Sequence, residues 1–297
     1  MDAQVRVGTV HIVEWLRPGD RSTGWDLYNE IEPLGIVSNP QISVSFDRIT
    51  TRMEFLSLLR RFEADLRSTG RVPLLHVETH GSDGGIGVSD AEGFAFADLM
   101  NALIPLNRLT GLRLFVVLSA CEGIWGIKML QPAERAAFLA LVGPNRRISE
   151  SELATAMQVF YRRLLTSRDG DGAIQAMNAA IDPDRPTFGA FNAELAFKSI
   201  YQEFWAQKCT PQALAQRAES IVAALQAQSR IERGHGLSRS ELAKARALAH
   251  RHIGDHRRHF DRFRREFFFI DVCPENHERF GVTLEDCQGV QGSGAGA

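Results

Sequence analysis

Two short motifs carry residues able to do covalent chemistry on a substrate. One is His80-Gly81, in HVETHGSDGG; the other is Ser119-Ala120-Cys121-Glu122-Gly123, which follows LFVVL. A cysteine thiol ordinarily ionises near pH ~8.5, and only the thiolate is strongly nucleophilic. An imidazole titrates near neutrality, so it can take the thiol proton during attack and return it to a leaving amine. Gly81 has no side chain to keep a substrate carbonyl away, and its N–H is a candidate oxyanion donor. The N–H of Cys121 is a second. Taken alone, each motif has a plainer reading. A lone cysteine is more often a small core residue, and a histidine before glycine is more often part of a turn. The two gain weight together, because each ends an apolar run of strand character.

Those runs belong to an alternating series of elements. Residues 5–15 are rich in β-branched side chains and read as a strand, as do ISVSF at 42–46, VPLLHVET at 72–79 and LRLFVVLSA at 112–120. Helical segments separate them: a short one after GDRSTG, one at 52–69 and one at 94–106. In the second, Phe55, Leu58, Leu59, Phe62 and Leu66 share a face. Strand–helix alternation predicts βαβ units and a parallel sheet. The continuous apolar run LFVVL suits a central strand covered on both faces. About 40 residues separate the two motifs, enough for a crossover helix between parallel neighbours. In such sheets ligands bind beyond the C-terminal strand ends, so both motifs are expected on one edge. Residues 136–143 read as a further strand. Helices follow at 149–166 and 170–181, the first opened by a Ser149/Glu152 capping-box pattern.

Beyond about residue 190 the pattern becomes helical, over roughly 193–207, 211–229 and 238–268. The expected organisation is an α/β domain over 1–188, a mostly helical region over 189–288 that packs on it or regulates it, and a flexible tail over 289–297.

The net charge of −2 gives no electrostatic case for nucleic acid or membrane. The four cysteines show no repeated spacing, so no disulfide framework is expected. The N-terminus lacks the basic and apolar regions of a signal peptide, and no apolar run approaches the ~20 residues of a membrane helix. A reducing cytoplasm is the expected setting.

The paired pattern of apolar strand–His-Gly and apolar strand–Ala-Cys resembles the caspase-like (clan CD) cysteine peptidases, and especially their CHAT group. SACEG is similar to the caspase-type Gln-Ala-Cys-X-Gly signature, with Ser119 in place of glutamine. The resemblance spans roughly 1–185 and is strongest over 72–180. It implies a three-layer α/β/α sandwich with a mostly parallel sheet, here with a C-terminal helical extension. It also implies an endopeptidase working through an acyl-enzyme, with His80 and Cys121 as the dyad and Gly81 as an oxyanion donor. CHAT-type peptidases are similar to effectors of bacterial defence or cell-death systems. That context implies a protein substrate and an activating protein partner, with no cofactor. The alternatives are a catalytically inactive scaffold of the same fold, and a partner- or nucleic-acid-binding regulator.

Specificity is less legible. Related Arg/Lys-directed enzymes often carry an acidic residue two before the cysteine, where this chain has Ser119. Glu78, Asp83 and Glu122 are candidate acidic contacts, against the plainer reading of solvated loop acids. An Asp-directed pocket needs cations, for which Arg146 and Arg147 are candidates. The histidines of 235–259 include His252 and His256 at i, i+4, but they fall in a stripe with Ala249, Phe260 and Phe263. Packed helix histidines are therefore preferred to a metal site, and no metal is expected. Residues 230–266 hold eleven Lys/Arg against five acids. A solvated helix face or a docking surface is preferred to a nucleic-acid site, because no base-reading motif accompanies them.

Overall fold

The computed structural model describes residues 7–82, 84–89, 91–121, 123–124 and 134–288. The chain divides into two compact units, one built from residues up to Ala196 apart from a short piece that includes Glu134, and the other from that piece and the residues from Phe197 onward.

The first unit is an α/β sandwich around a six-stranded sheet. Its strands are β1 (Thr9–Trp15), β2 (Ser43–Arg48), β3 (Pro73–Thr79), β6 (Phe115–Ser119), β7 (Ala140–Pro144) and β8 (Phe188–Asn192), in the spatial order β2-β1-β3-β6-β7-β8. Five strands run parallel and β8 runs antiparallel to β7. A separate hairpin joins β4 (Gly85–Gly87) to β5 (Gly93–Ala95). The central strands β3 and β6 are buried along their whole length, as continuous apolar runs in a parallel sheet require.

Each face of the sheet has its own helical layer. On one face, α1 (Thr23–Val37), α4 (Glu150–Ser167) and α5 (Gly170–Ile181) pack on Val10, Ile12, Leu74, Val117 and Val142. On the other lie α2 (Arg52–Thr69) and α3 (Phe96–Leu109). There Trp15 stacks on Phe55 at 6.0 Å, and Phe94 meets both rings edge-on. The helix at 52–69 has the bounds its periodicity predicts and buries all five residues of its apolar face. Reciprocal Thr51/Glu54 bonds start α2, and reciprocal Ser149/Glu152 bonds start α4, satisfying N–H groups that have no partner within the helix.

Three expectations need correction. The strand predicted at 136–143 begins at Ala140. Ala136, Ala137 and Phe138 are buried without joining the ladder, and apolarity alone does not separate these cases. Strand β8 was not predicted, since its FGAFN sequence has little β-branching. The single helix expected over 238–268 is two, α8 (Arg239–Gly254) and α9 (His256–Phe267). Asp255 ends the first and caps the second by accepting from the Arg258 N–H.

In the second unit, Phe197 and Tyr201 of α6 (Ala193–Lys208) stack at 5.7 Å and meet Phe260 of α9 at 5.7 and 5.2 Å. Helix α7 (Pro211–Arg233) packs on α8 through Ala218, Val222, Ala249 and Ile253. Two short helices, α10 (Asn276–Arg279) and α11 (Leu284–Gln288), follow α9. Among the described residues, no helix is long and apolar enough to cross a membrane.

Candidate active site

Strand register brings the two motifs together. Glu78 of β3 pairs with Ser119 of β6 in a parallel ladder. His80 and Cys121 each lie two residues beyond this last pair. Gly81 is pressed against the second motif: a Cβ built on it would lie 2.2 Å from the Cys121 carbonyl oxygen and 3.0 Å from Ala120 Cβ. Only glycine allows this approach. On the β6 side, Gly123 folds the chain back over Leu118, donating its N–H to the Ala120 carbonyl at 3.0 Å.

The His80 backbone is held by the β4–β5 hairpin. Gly87 N–H donates to the His80 carbonyl at 3.0 Å and Ser82 N–H donates to Gly85 at 2.9 Å. These two bonds flank the bridge between Gly81 and Ile86, and neither uses the Gly81 N–H.

The imidazole has a partner that sequence reasoning missed. His80 Nε2 lies 2.8 Å from Asp20 Oδ2, and both side chains are partly open to solvent. Asp20 also accepts from the Arg17 N–H at 2.8 Å. The hydrogen bond from His80 is the main reason its carboxyl ionises below the usual range. Asp20 follows β1, whose last residue, Trp15, pairs with Thr79 just before His80. In the sequence it sits in the polar turn RPGDRSTG and looks merely solvated. Only the β1–β3 register marks it. With Nε2 engaged, Nδ1 is the ring atom left for chemistry with a thiol. The Cys121 thiol, half-buried, lies 4.0 Å from the Ile148 carbonyl.

Beneath this rank lies a row of polar side chains on the α1/α4 face, buried except for Arg48 at its outer end. Register aligns Arg48, Glu14, Glu78 and Ser119 across four strands. Glu14 accepts from Ser22 Oγ, from the Gly24 and Trp25 N–H groups and from Arg48 Nε. It thereby caps α1, whose own N-cap side chain makes no capping bond. Glu78 accepts from Thr23 Oγ1 at 2.7 Å and faces His76 Nε2 at 3.0 Å. His76 Nδ1 in turn lies 3.0 Å from the Tyr161 hydroxyl. Burial, and then the Glu78 charge, push the Tyr161 phenol well above its ordinary range, so it stays a donor. A proton on His76 Nε2 facing Glu78 leaves Nδ1 to accept from the Tyr161 hydroxyl.

Of the other residues singled out by sequence, Asp83 and Glu122 lie outside the described residues, as does the 289–297 tail. Arg146 follows β7, on the same edge of the sheet. Its guanidinium donates to Thr187 Oγ1 at 2.8 Å and to the Arg147 carbonyl at 3.0 Å. Glu78 is buried, not a solvated loop acid. The histidines of α8 and α9 pack with rings: His256 on Trp205 at 4.7 Å, His252 against His259 at 5.5 Å. Among the described residues, no three His, Cys, Asp or Glu side chains group to hold a metal.

No protein-family model matches the chain, and no curated protein matches it. Among solved structures, it is similar to the crystal structure of caspase-1 from Spodoptera frugiperda. That similarity has a TM-score of 0.45 at 12% identity, covering 63% of this chain and 87% of the caspase.

Proposed function

We propose that this chain is a cysteine endopeptidase in which Cys121 is the nucleophile and His80 the general base and acid. What supports the reading is the end of the β3–β6 ladder, where Glu78 pairs with Ser119 two residues before His80 and Cys121, and the packing of Gly81 against the Cys121 carbonyl. The Cys121 thiol gives its proton to His80 as sulfur attacks the scissile carbonyl carbon. The N–H groups of Gly81 and Cys121 hold the resulting oxyanion. His80 then protonates the departing amine, and water hydrolyses the thioester. Asp20 is a positioning residue: it fixes the imidazole orientation and favours the imidazolium while it carries the proton.

The resemblance of residues 72–180 to CHAT peptidases extends the reading to a regulated effector in a bacterial defence or cell-death system. In this reading the enzyme works in the cytoplasm on a protein substrate and is switched on by a protein partner. Arg146 is a weaker candidate for substrate contact, since its guanidinium already serves Thr187.

A peptide-library cleavage assay on the wild type and Cys121→Ala tests the chemistry. Cleavage is expected to fall at least ~1,000-fold in the variant. Equal cleavage by both proteins would refute the dyad.

A further inference from the structure

We propose that the cavity at the N-terminal end of the sheet, between β1, β2 and α2, binds a small free amino acid in its zwitterionic form, with a short hydroxyl side chain such as that of serine. This goes beyond the peptidase reading and does not rest on it. From Pro73 to His80 the chain rises about 23 Å along β3, so the cavity is remote from the reactive rank.

The cavity measures about 170 Å³. An engineered cavity of about 150 Å³ holds benzene, so this one suits a ligand of serine's size. Phe62 and Leu66 of α2, with Pro73 of β3, give it apolar walls. His11 of β1, only 7% exposed, is the most deeply buried polar side chain lining it. The ring lies on Phe62 at 3.9 Å, and Nδ1 meets Ser45 Oγ at 2.7 Å. Nε2 has no hydrogen-bond partner among the described residues. A ring nitrogen at that depth is served by water or by a ligand group.

Asp65 and Arg71, both exposed, line the same cavity. Neither forms an ion pair among the described residues, with the other or with a third group. Arg71 gives one donor to Ser43 Oγ at 2.6 Å, which leaves most of its guanidinium free. Thr69 holds the two charged residues in place. Its hydroxyl donates to the Asp65 carbonyl at 2.7 Å and accepts from the Arg71 N–H at 3.2 Å. Gly8 lets the Arg71 stem lie against the start of β1: a Cβ built on it would fall 2.9 Å from Arg71 Cβ.

Charge selects the ligand. Burial lowers the His11 pKa to about 4, so the ring is uncharged near pH 7. Asp47 and Arg61, which also act on it, pair with each other. The cavity is left with one free cation and one free anion. A simple carboxylic acid would engage Arg71 alone, and a simple amine Asp65 alone. A zwitterion engages both, its carboxylate on Arg71 and its ammonium on Asp65. The end of α2 at Thr69 adds partial negative charge on the ammonium side. A hydroxyl both donates and accepts, so it suits Nε2 in either tautomer. Because both charges are exposed, the affinity is modest.

NMR titration of the full chain, following the His11 ring signals, tests the site. L-Serine is expected to bind saturably with a Kd on the order of 1 mM. β-Hydroxypropionate lacks the ammonium and serinamide lacks the carboxylate, and each should bind about fivefold more weakly or worse. L-Alanine lacks the hydroxyl and should bind about three- to fivefold more weakly. Arg71→Ala and Asp65→Asn, both changes at exposed residues, should each weaken serine about fivefold. No saturable binding of serine up to about 50 mM overturns the site. Serinamide or β-hydroxypropionate binding as tightly as serine overturns the zwitterion. Serine affinity unchanged by both substitutions overturns the placement, and alanine matching serine overturns the role of Nε2. If either variant melts well below the wild type, the two analogues titrated into the wild type decide.

Discussion

The two ends of the parallel sheet both withdraw ionisable side chains from water, and they treat them differently. Toward the N-terminal end, His11 stacks on Phe62 at 3.9 Å and has one side-chain partner, Ser45 Oγ at 2.7 Å. Burial lowers its pKa to about 4, so the imidazole is neutral near pH 7. At the C-terminal end, Glu14 gathers donors from β2, α1 and the loop before α1, while Glu78 takes two and keeps capacity. Burial alone therefore does not mark a functional group. Committed donors separate a neutral, half-engaged imidazole at His11, a saturated strut at Glu14 and an open acceptor at Glu78.

The largest expected effect that can break this comparison is at Glu14. Glu14→Ala strips the acceptor from two backbone N–H groups, Ser22 and Arg48. It should destabilise the chain by about 2–4 kcal/mol in urea unfolding. A loss no greater than that of a surface substitution would mean that Glu14 is not the strut.

Next comes His11, read through pH. Its folded pKa lies below the ordinary 6.5, so the unfolded chain takes up the proton first. Its contribution is complete above pH 6.5 and is lost as the pH falls to about 4. About 3 kcal/mol of stability should disappear across that window. His11→Gln should flatten that part of the stability–pH curve, and an unchanged slope would count against a neutral buried imidazole.

The smallest effect sharpens the C-terminal end. Asp20→Asn should lower kcat about tenfold with KM little changed, and Asp20→Glu should recover most of the loss. A change confined to melting temperature would assign Asp20 to loop structure alone.

Much of the sheet and its helices was legible because apolar periodicity and burial agree there. The helix at 52–69, the helix pair at 149–181 and the strands carrying His80 and Cys121 follow directly from pattern. Where the two part company, sequence reading falters. Phe138 is buried as coil, β8 is a strand with little β-branching, and Asp255 breaks a helix that its flanking periodicity continues. The site divides in the same way. His80, Gly81 and Cys121 stand at strand ends that local sequence marks. Asp20 and the environment of Glu78 depend on which strands are neighbours, and no local pattern encodes that.

Gly81 carries a consequence for how such a chain can change over generations. The space a methyl group would need there is held by the backbone of Cys121. An alanine at this position would wedge the two strand ends apart while leaving both reactive residues in the sequence. If the proposed dyad is correct, descendants could thus fall silent as enzymes and still display an intact His/Cys pair. On that proposal, the residue at 81 would mark loss of activity better than the pair itself.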